Sequence, residues 1–413
     1  MTTEHILTGI KVLDLTHFLA GPAATRMMAE MGAEIIKVEP NPGGDSSRLF
    51  PFHKDGRSAY FVQQNRGKKG VCLDMRKPEG LEILKGLVAQ VDVLIENFAT
   101  GVMKRNGLDW EVCKKINPRL IMCSVTAFGQ TGPLSHLPGF DNIGQAYAGV
   151  TAMIGEADGP PVFPTLAIGD VTTGVHAATA IGYALYHRER TGKGQHLDIS
   201  LLDTYFHQHE VNVQMVSCSN GEQLPRRQGG HHFVAAPAGI YKGKDRYIFI
   251  IALTHQWPTL CKTMGMPELA TDPRFDTVPD RVANLAQLIE IIEGWIAAQD
   301  SDEHAIKQLE DARVPVAPVL EVEEAMAHPH LIERGTVRTI SDRGIGEFQV
   351  PGFPLRFSEF PGHLDLDAPY LGEHNGAVLK EYLGYSDEQI SGLENDGVLG
   401  SEPLPARDAN AAE

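Results

Sequence analysis

The run Ile10-Lys11-Val12-Leu13-Asp14-Leu15-Thr16 is apolar and β-branched enough to be a buried strand. Gly21-Pro22-Ala23-Ala24-Thr25-Arg26-Met27-Met28-Ala29-Glu30-Met31-Gly32 follows with helical composition and a closing glycine, and Glu34-Ile35-Ile36-Lys37-Val38-Glu39 is a second strand-like run. Strand, helix and strand in this order predict a β-α-β unit. The pattern repeats outward. Residues 70–75 predict a strand, 78–91 an amphipathic helix with Pro78 at its start, 92–97 a strand, 110–116 a helix and 120–125 a strand. Helices are expected over 141–154 and 170–189, and a strand over 195–201. Strands alternating with helices across some 200 residues imply an α/β fold: a Rossmann-like, open, doubly wound parallel sheet.

Beyond residue 217 the texture changes. Ser219-Asn220-Gly221-Glu222 is turn-like, and Pro225-Arg226-Arg227-Gln228-Gly229-Gly230-His231-His232 is a basic loop. A strand at 247–252 and helices at 255–264, 282–298 and 302–312 then predict a smaller α+β domain. Two short strands near 337–340 and 348–351 and a helix at 375–383 follow. The expected organisation is a large domain over 1–222, a small one over 223–330, a return segment over 331–400 that completes the large domain, and a frayed tail at 401–413.

Composition removes several classes of function. The 413 residues carry a formal charge of -17, which disfavours nucleic acid and anionic membrane. No apolar run approaches a membrane span, and the N-terminus has no leader-like apolar core, so a cytoplasmic protein is expected. Cys72, Cys113, Cys123, Cys218 and Cys261 are scattered without C-x-x-C spacing, which argues against both a disulfide framework and a zinc site. The turn His17-Phe18-Leu19-Ala20-Gly21-Pro22 lacks the G-x-G-x-x-G spacing of a dinucleotide fold, and no P-loop lysine motif occurs. Neither NAD nor ATP is expected, nor a metal. His207 and His209 are two apart in a helical segment and point to different faces.

No G-x-S-x-G elbow supports a serine nucleophile, and the cysteines with apolar neighbours are poor ones. The remaining candidate is Asp170, in Phe163-Pro164-Thr165-Leu166-Ala167-Ile168-Gly169-Asp170-Val171-Thr172. An apolar, strand-like run there breaks at Gly169 and continues as an Ala-rich helix. The carboxylate at the helix start is either a cap or a reactive anion kept ionised by unpaired N–H groups and the helix dipole. Arg66, Lys68, Lys69, Arg76, Lys77, Lys104 and Arg105 recur near strand ends, where open α/β sheets bind ligands, and point to an anionic phosphate ligand.

Several segments taken together resemble the class III CoA-transferases, the CaiB/BaiF family that includes formyl-CoA:oxalate CoA-transferase. They are residues 9–16 with Ala20-Gly21-Pro22, residues 32–40, Leu73-Asp74-Met75, Glu96-Asn97-Phe98, Gly169-Asp170, the Arg190-Thr191-Gly192-Lys193-Gly194-Gln195 turn and Leu371-Gly372-Glu373-His374. The resemblance covers about residues 7–385. It implies that Asp170 is the nucleophile of a covalent CoA transfer through a mixed anhydride and an aspartyl-CoA thioester. It implies that His17, Phe18, Leu19 and Ala20 line the thiol end of coenzyme A, and that Leu73, Arg76, Asn97, Phe98 and Arg105 hold pantetheine and nucleotide. It implies too that Asp141, next to Phe140, is the acidic neighbour of the nucleophile. An interlocked homodimer, two chains threaded as linked rings, is the implied assembly.

Departures from the family pattern narrow the expectation. Leu19 replaces a glutamine that contacts the small acid in the oxalate enzyme, Pro40 replaces an arginine, and only Gly229-Gly230 remain of a glycine run. The loop with Arg226, Arg227, His231 and His232 is read as a clamp for a larger acceptor, a dicarboxylate with succinyl-CoA as donor. Two alternatives share the pattern: a 2-methylacyl-CoA racemase and a non-catalytic acyl-CoA-binding protein. The racemases need a proton-moving histidine where Gly139-Phe140-Asp141 has phenylalanine.

Overall fold

A computed structural model describes residues 4–50, 52–360 and 362–404. They pack as two compact units. The first comprises the described residues of Met1–Ala148, Thr165–Gln208 and Pro329–Glu413, and the second Gly149–Pro164 and His209–His328. The small unit therefore starts at His209 and takes in an excursion at 149–164. The tail expected at 401–413 lies, from residue 405, outside the described residues, as do Met1, Thr2 and Thr3.

Six parallel strands form the sheet of the first unit: β1 (Lys11–Asp14), β2 (Glu34–Pro40), β3 (Lys68–Leu73), β4 (Val93–Glu96), β5 (Ile121–Thr126) and β6 (Gln195–Ser200). Their order across the sheet is β3, β2, β1, β4, β5, β6. The chain winds outward on one side of β1 and then on the other, so a crevice opens between the carboxyl ends of β1 and β4. Alternation along the strands sends Leu13, Ile36 and Leu94 to one face and Val12, Ile35, Val93 and Ile95 to the other. Both faces are covered, as parallel sheets require.

On one face α1 (Ala20–Glu30) packs beside a 24-residue helix, Ile168–Thr191, which follows α2 (Asp141–Tyr147) and is α3 here. A Cβ on Gly174 would come within 2.7 Å of the Ala20 carbonyl, so glycine is what allows this close crossing. The other face is closed by helices Pro78–Val88, Trp110–Ile116 and Asn375–Leu383. The return segment is fastened to the sheet there: Asn375 Oδ1 accepts the Cys72 amide at 2.9 Å, and Leu399 bridges Leu73. The helix α4 (Leu201–His207) follows β6 directly.

The second unit has an antiparallel sheet, Val316–Pro318, Tyr247–Ile251 and Ala238–Lys242 in that order, backed by helices Trp257–Thr263, Leu285–Ala298 and Asp302–Asp311. Its own core contains Tyr241, Ile248, Ile250, Trp257, Phe275, Leu288 and Ile292. Among the described residues no helix is long and apolar enough to cross a membrane.

Three local expectations change. The strand-like run from Phe163 to Gly169 forms no strand: Pro164 removes a donor that a ladder needs, Phe163 and Leu166 are exposed, and Ile168 already opens α3. The helix expected over 141–154 ends at Tyr147, with Gly149 in a left-handed turn at φ 78°. The one expected over 282–298 is two helices meeting at Asn284, whose side chain donates to Asp280 O at 2.9 Å.

Candidate active site

The β1 and β4 carboxyl ends are tied to each other by one side chain. Asn97 Oδ1 accepts the His17 amide at 2.9 Å, and Asn97 Nδ2 donates to the His17 carbonyl at 2.8 Å. This reciprocal pair mimics a strand ladder beyond the end of the sheet. It presents His17 beside Phe98, with ring centroids 5.7 Å apart. Phe18 takes up φ 62°, rare for a bulky residue, and so turns the chain sharply into α1, with Leu19 as its N-cap and Ala20 its first residue. A cavity of about 260 Å³ lies here, lined by Thr16, His17, Phe18, Pro40, Met75 and Phe98 among others. Burial lowers the His17 pKa, with the Asp45 carboxylate opposing.

Charges beneath this loop are matched. Lys37, fully buried, reaches Asp45 at 2.9 Å and the Thr16 carbonyl at 2.7 Å, and Lys68 reaches Asp14 at 3.0 Å. The basic residues near strand ends therefore divide into two groups. Arg66, Lys68 and Lys69 start from the amino end of β3 and have their charges taken up by Glu30, Asp14 and Glu34, so they are withdrawn as phosphate contacts. Arg76 and Arg105, beyond the carboxyl ends of β3 and β4, are exposed; Arg76 is held by Asp74 at 2.8 Å. Leu73 closes β3, buried.

Asp170 occupies the first turn of α3. The N-cap there is Ala167, which has no side-chain acceptor, so the free amides of the helix start take partners from elsewhere. Asp170 N–H donates to Asp141 Oδ2 at 2.7 Å, and Gly169 N–H donates to the Tyr205 hydroxyl at 2.9 Å. The Tyr205 hydroxyl donates in turn to Asp141 Oδ1. Asp141 is buried in the first turn of α2, just after the exposed Phe140, and Tyr205 is fully buried on α4. A Cβ on Gly169 would lie 2.1 Å from the Tyr205 ring, so only glycine fits before the aspartate.

The electrostatics reverse the expectation of a permanently ionised Asp170. Burial, and then the Asp141 carboxylate, push its pKa up to about 7. The helix dipole favours the anion by only about 0.3–1 kcal/mol, less than one pKa unit. Tyr60 is pushed up to about 12 by burial and by the charge of Asp170, which it faces from helix Ala59–Asn65. Phe18 makes an aromatic wall with Phe50 and Phe140 at centroid distances of 6.0 and 6.3 Å, and Phe50 stacks on Tyr60 at 5.1 Å.

The basic loop belongs to the second unit. Arg227 donates to the carbonyls of Glu156 and Gly159 at 3.0 and 3.1 Å, while Arg226 is exposed and donates to its neighbour Pro225 O at 2.9 Å. Gly229 sits at φ 62° against Glu156, Gly230 accepts from Ile240, His231 packs on Tyr241 and His232 lies 4.0 Å from Glu210.

Tyr205 and Tyr60 escaped the sequence reading. A signal for Tyr205 existed in Ser200-Leu201-Leu202-Asp203. Ser200 Oγ accepts the Asp203 amide at 2.9 Å, a Ser-x-x-Asp helix start that follows a strand directly. For Tyr60 no comparable pattern is present.

A doubly wound sheet with a cavity at its switch point, and a pair of carboxylates at a neighbouring helix start, one buried and one half-buried, place this chain among the α/β proteins with a ligand crevice at the carboxyl ends of their strands. The chain belongs to CoA-transferase family III, whose model matches residues 7–375. It is 35% identical over 401 residues to the succinyl-CoA:glutarate CoA-transferase of Mus musculus, covering 95% of this chain and 90% of that one. With the acetyl-CoA:oxalate CoA-transferase of Acetobacter aceti it shares 38% identity over 379 residues, covering 91% and 95%. A crystal structure of a CAIB/BAIF family protein from Brucella suis superposes with a TM-score of 0.80 at 36% identity, covering 92% of this chain and all of the other.

Proposed function

We propose that this protein transfers CoA from an acyl-CoA donor to a carboxylic acid, with Asp170 as covalent nucleophile. The Asp170 carboxylate attacks the thioester carbonyl, the C–S bond breaks, and a mixed anhydride and CoA thiolate result. The thiolate attacks the aspartyl carbonyl and expels the donor's carboxylate, leaving an aspartyl-CoA thioester. An acceptor carboxylate attacks that thioester to give a second anhydride and free thiolate, which then takes the acceptor's acyl group and restores Asp170. No proton or water is consumed, so the thioester energy is kept. The observation that carries this reading is Asp170 itself: half-buried, in the first turn of α3, with its amide anchored to Asp141 and its pKa near neutrality. His17, Phe18, Leu19 and Ala20 would flank the thiol end. Leu73, Arg76, Asn97, Phe98 and Arg105 would carry the pantetheine and nucleotide.

We take succinyl-CoA as donor and a dicarboxylic acid as acceptor, on the likeness to the glutarate enzyme and on Leu19 in place of a polar contact. Arg226, the arginine of the basic loop not engaged by distant carbonyls, is our candidate for the acceptor's second carboxylate. A homodimer is supported by the outer face of α3, where Ile168, Val171, Val175, Tyr183 and Tyr186 are exposed together with Phe206. A cytoplasmic setting is supported by five unpaired cysteines.

Intact-protein mass spectrometry after mixing with succinyl-CoA tests the mechanism. A CoA adduct mapped to Asp170, cleaved by hydroxylamine, is expected. Asp170→Asn should lower kcat by about 10³-fold or more; a variant that exchanges CoA at the parent rate would sink the reading.

A further inference from the structure

Removing the N-cap acceptor from a helix whose first turn carries the reactive group leaves that turn's geometry to its neighbours. In α3 two successive amides, Gly169 and Asp170, are satisfied by Tyr205 and Asp141 instead of by Ala167. A phenol oxygen has one hydrogen to give and two lone pairs. Here all three are used. The hydroxyl accepts from Gly169 N–H at 2.9 Å and from Gln145 Nε2 at 3.3 Å, both of which are donors only, so its own hydrogen goes to Asp141 Oδ1. Asp141, held by that donor, turns its other oxygen to Asp170 N–H at 2.7 Å. The ring lies against the bare Cα of Gly169 and leaves no room for a side chain there.

We propose that Tyr205 is the positioning residue of the Asp170 site, acting through Asp141 and the Gly169 amide. It fixes the peptide that carries the nucleophile and keeps the Asp141 charge beside it. This rests on Asp170 being the nucleophile. Tyr205 touches no substrate in this assignment; it acts on the groups that do. The titratable groups that face Asp170 are Asp141 from α2 and Tyr60 from helix Ala59–Asn65. Packed along α3, α1 brings Arg26 and Glu30, paired with each other at 3.3 Å, and α4 brings Asp203, which is held by Ser200 at 2.7 Å.

Tyr205→Phe removes one oxygen and keeps the ring. Three readouts on the full-length protein test the role, using succinyl-CoA and glutarate as probes. First, kcat falls on the order of 10- to 100-fold while KM for succinyl-CoA stays within about threefold, because a misplaced nucleophile slows chemistry without removing ligand contacts. Second, the acid limb of kcat/KM moves to lower pH, since Asp141, no longer held by the phenol, stands less firmly beside Asp170 and its charge pushes the Asp170 pKa up less. Third, in a double-mutant cycle, Tyr205→Phe adds less than about twofold to the loss caused by Asp141→Asn, because both act on one contact. A purely structural role would lower thermal stability while leaving the limb and the kcat of the folded fraction unchanged, and that result overturns the proposal. So would fully multiplicative losses in the cycle. The CoA adduct separates the two readings. If the parent protein forms it and Tyr205→Phe forms it as fast, the positioning role alone fails. If the parent forms none on Asp170, the nucleophile reading fails and takes this proposal with it.

Discussion

Two carboxylate pairs near the crevice of the first unit, Asp14 with Asp45 and Asp141 with Asp170, are treated oppositely by the fold. Under the β1 loop, Asp14 and Asp45 face Lys68 and Lys37, and both acids are held below the ordinary carboxylate range, against the cost of burial. At the start of α3, Asp141 and Asp170 have each other, a phenol and backbone amides, with no cation among the described residues bonded to either, and Asp170 is driven up to about 7. The first arrangement holds a loop in one shape. The second keeps a carboxylate whose charge changes near neutrality, a perturbed group of the kind that marks candidate functional sites.

The comparison breaks most visibly on the matched side. Lys37→Met leaves Asp45 buried without its cation, and chemical denaturation should show a loss of about 3–5 kcal/mol. A loss below 1 kcal/mol would mean that the pairs under the loop carry little. On the unmatched side, Asp141→Asn removes the second cause of the raised Asp170 pKa and leaves the first, burial. The acid limb of the pH-rate profile should therefore move down by about one pH unit and stay above the ordinary carboxylate range. An unmoved limb would assign it to another group. The smallest effect concerns stability. A carboxyl whose pKa is higher folded than unfolded lends stability that is fully present below pH 3.8 and is lost as pH rises through about 7. Asp170→Asn escapes that loss, so it should melt a few degrees above the parent at pH 8 and together with it at pH 4, by calorimetry. Equal melting at both would show that the pair is not strained.

How much of this was legible beforehand differs between the two sites. The strand and helix runs from Ile10 to Glu39 predicted the topology because parallel strands buried on both faces leave long apolar runs, and the helix over 110–116 is found at Trp110–Ile116. Where Pro164 interrupted the apolar run before Gly169, composition misled: the hydrophobicity was there, but the side chains of Phe163 and Leu166 stayed exposed and no ladder formed. Asp170 was singled out by elimination and by family resemblance. Its local signal, glycine followed by aspartate before an Ala-rich run, is shared by ordinary caps. The cations near strand ends could not be sorted from sequence at all. Lys68 and Arg76 look alike in a string, and only the strand direction puts one at the amino end in an internal pair and the other beyond the carboxyl end, exposed.

By itself the sequence determined the alternation of elements, the absence of a dinucleotide glycine loop, and a glycine directly before Asp170. These are local matters of composition and spacing. The tertiary structure alone decided that this glycine is obligatory, because Tyr205 from a helix 36 residues onward fills the space beside it. It also decided that Asp170 titrates near neutrality, because burial and the charge of Asp141, 29 residues earlier, act through distance in space and leave no trace in the order of the chain.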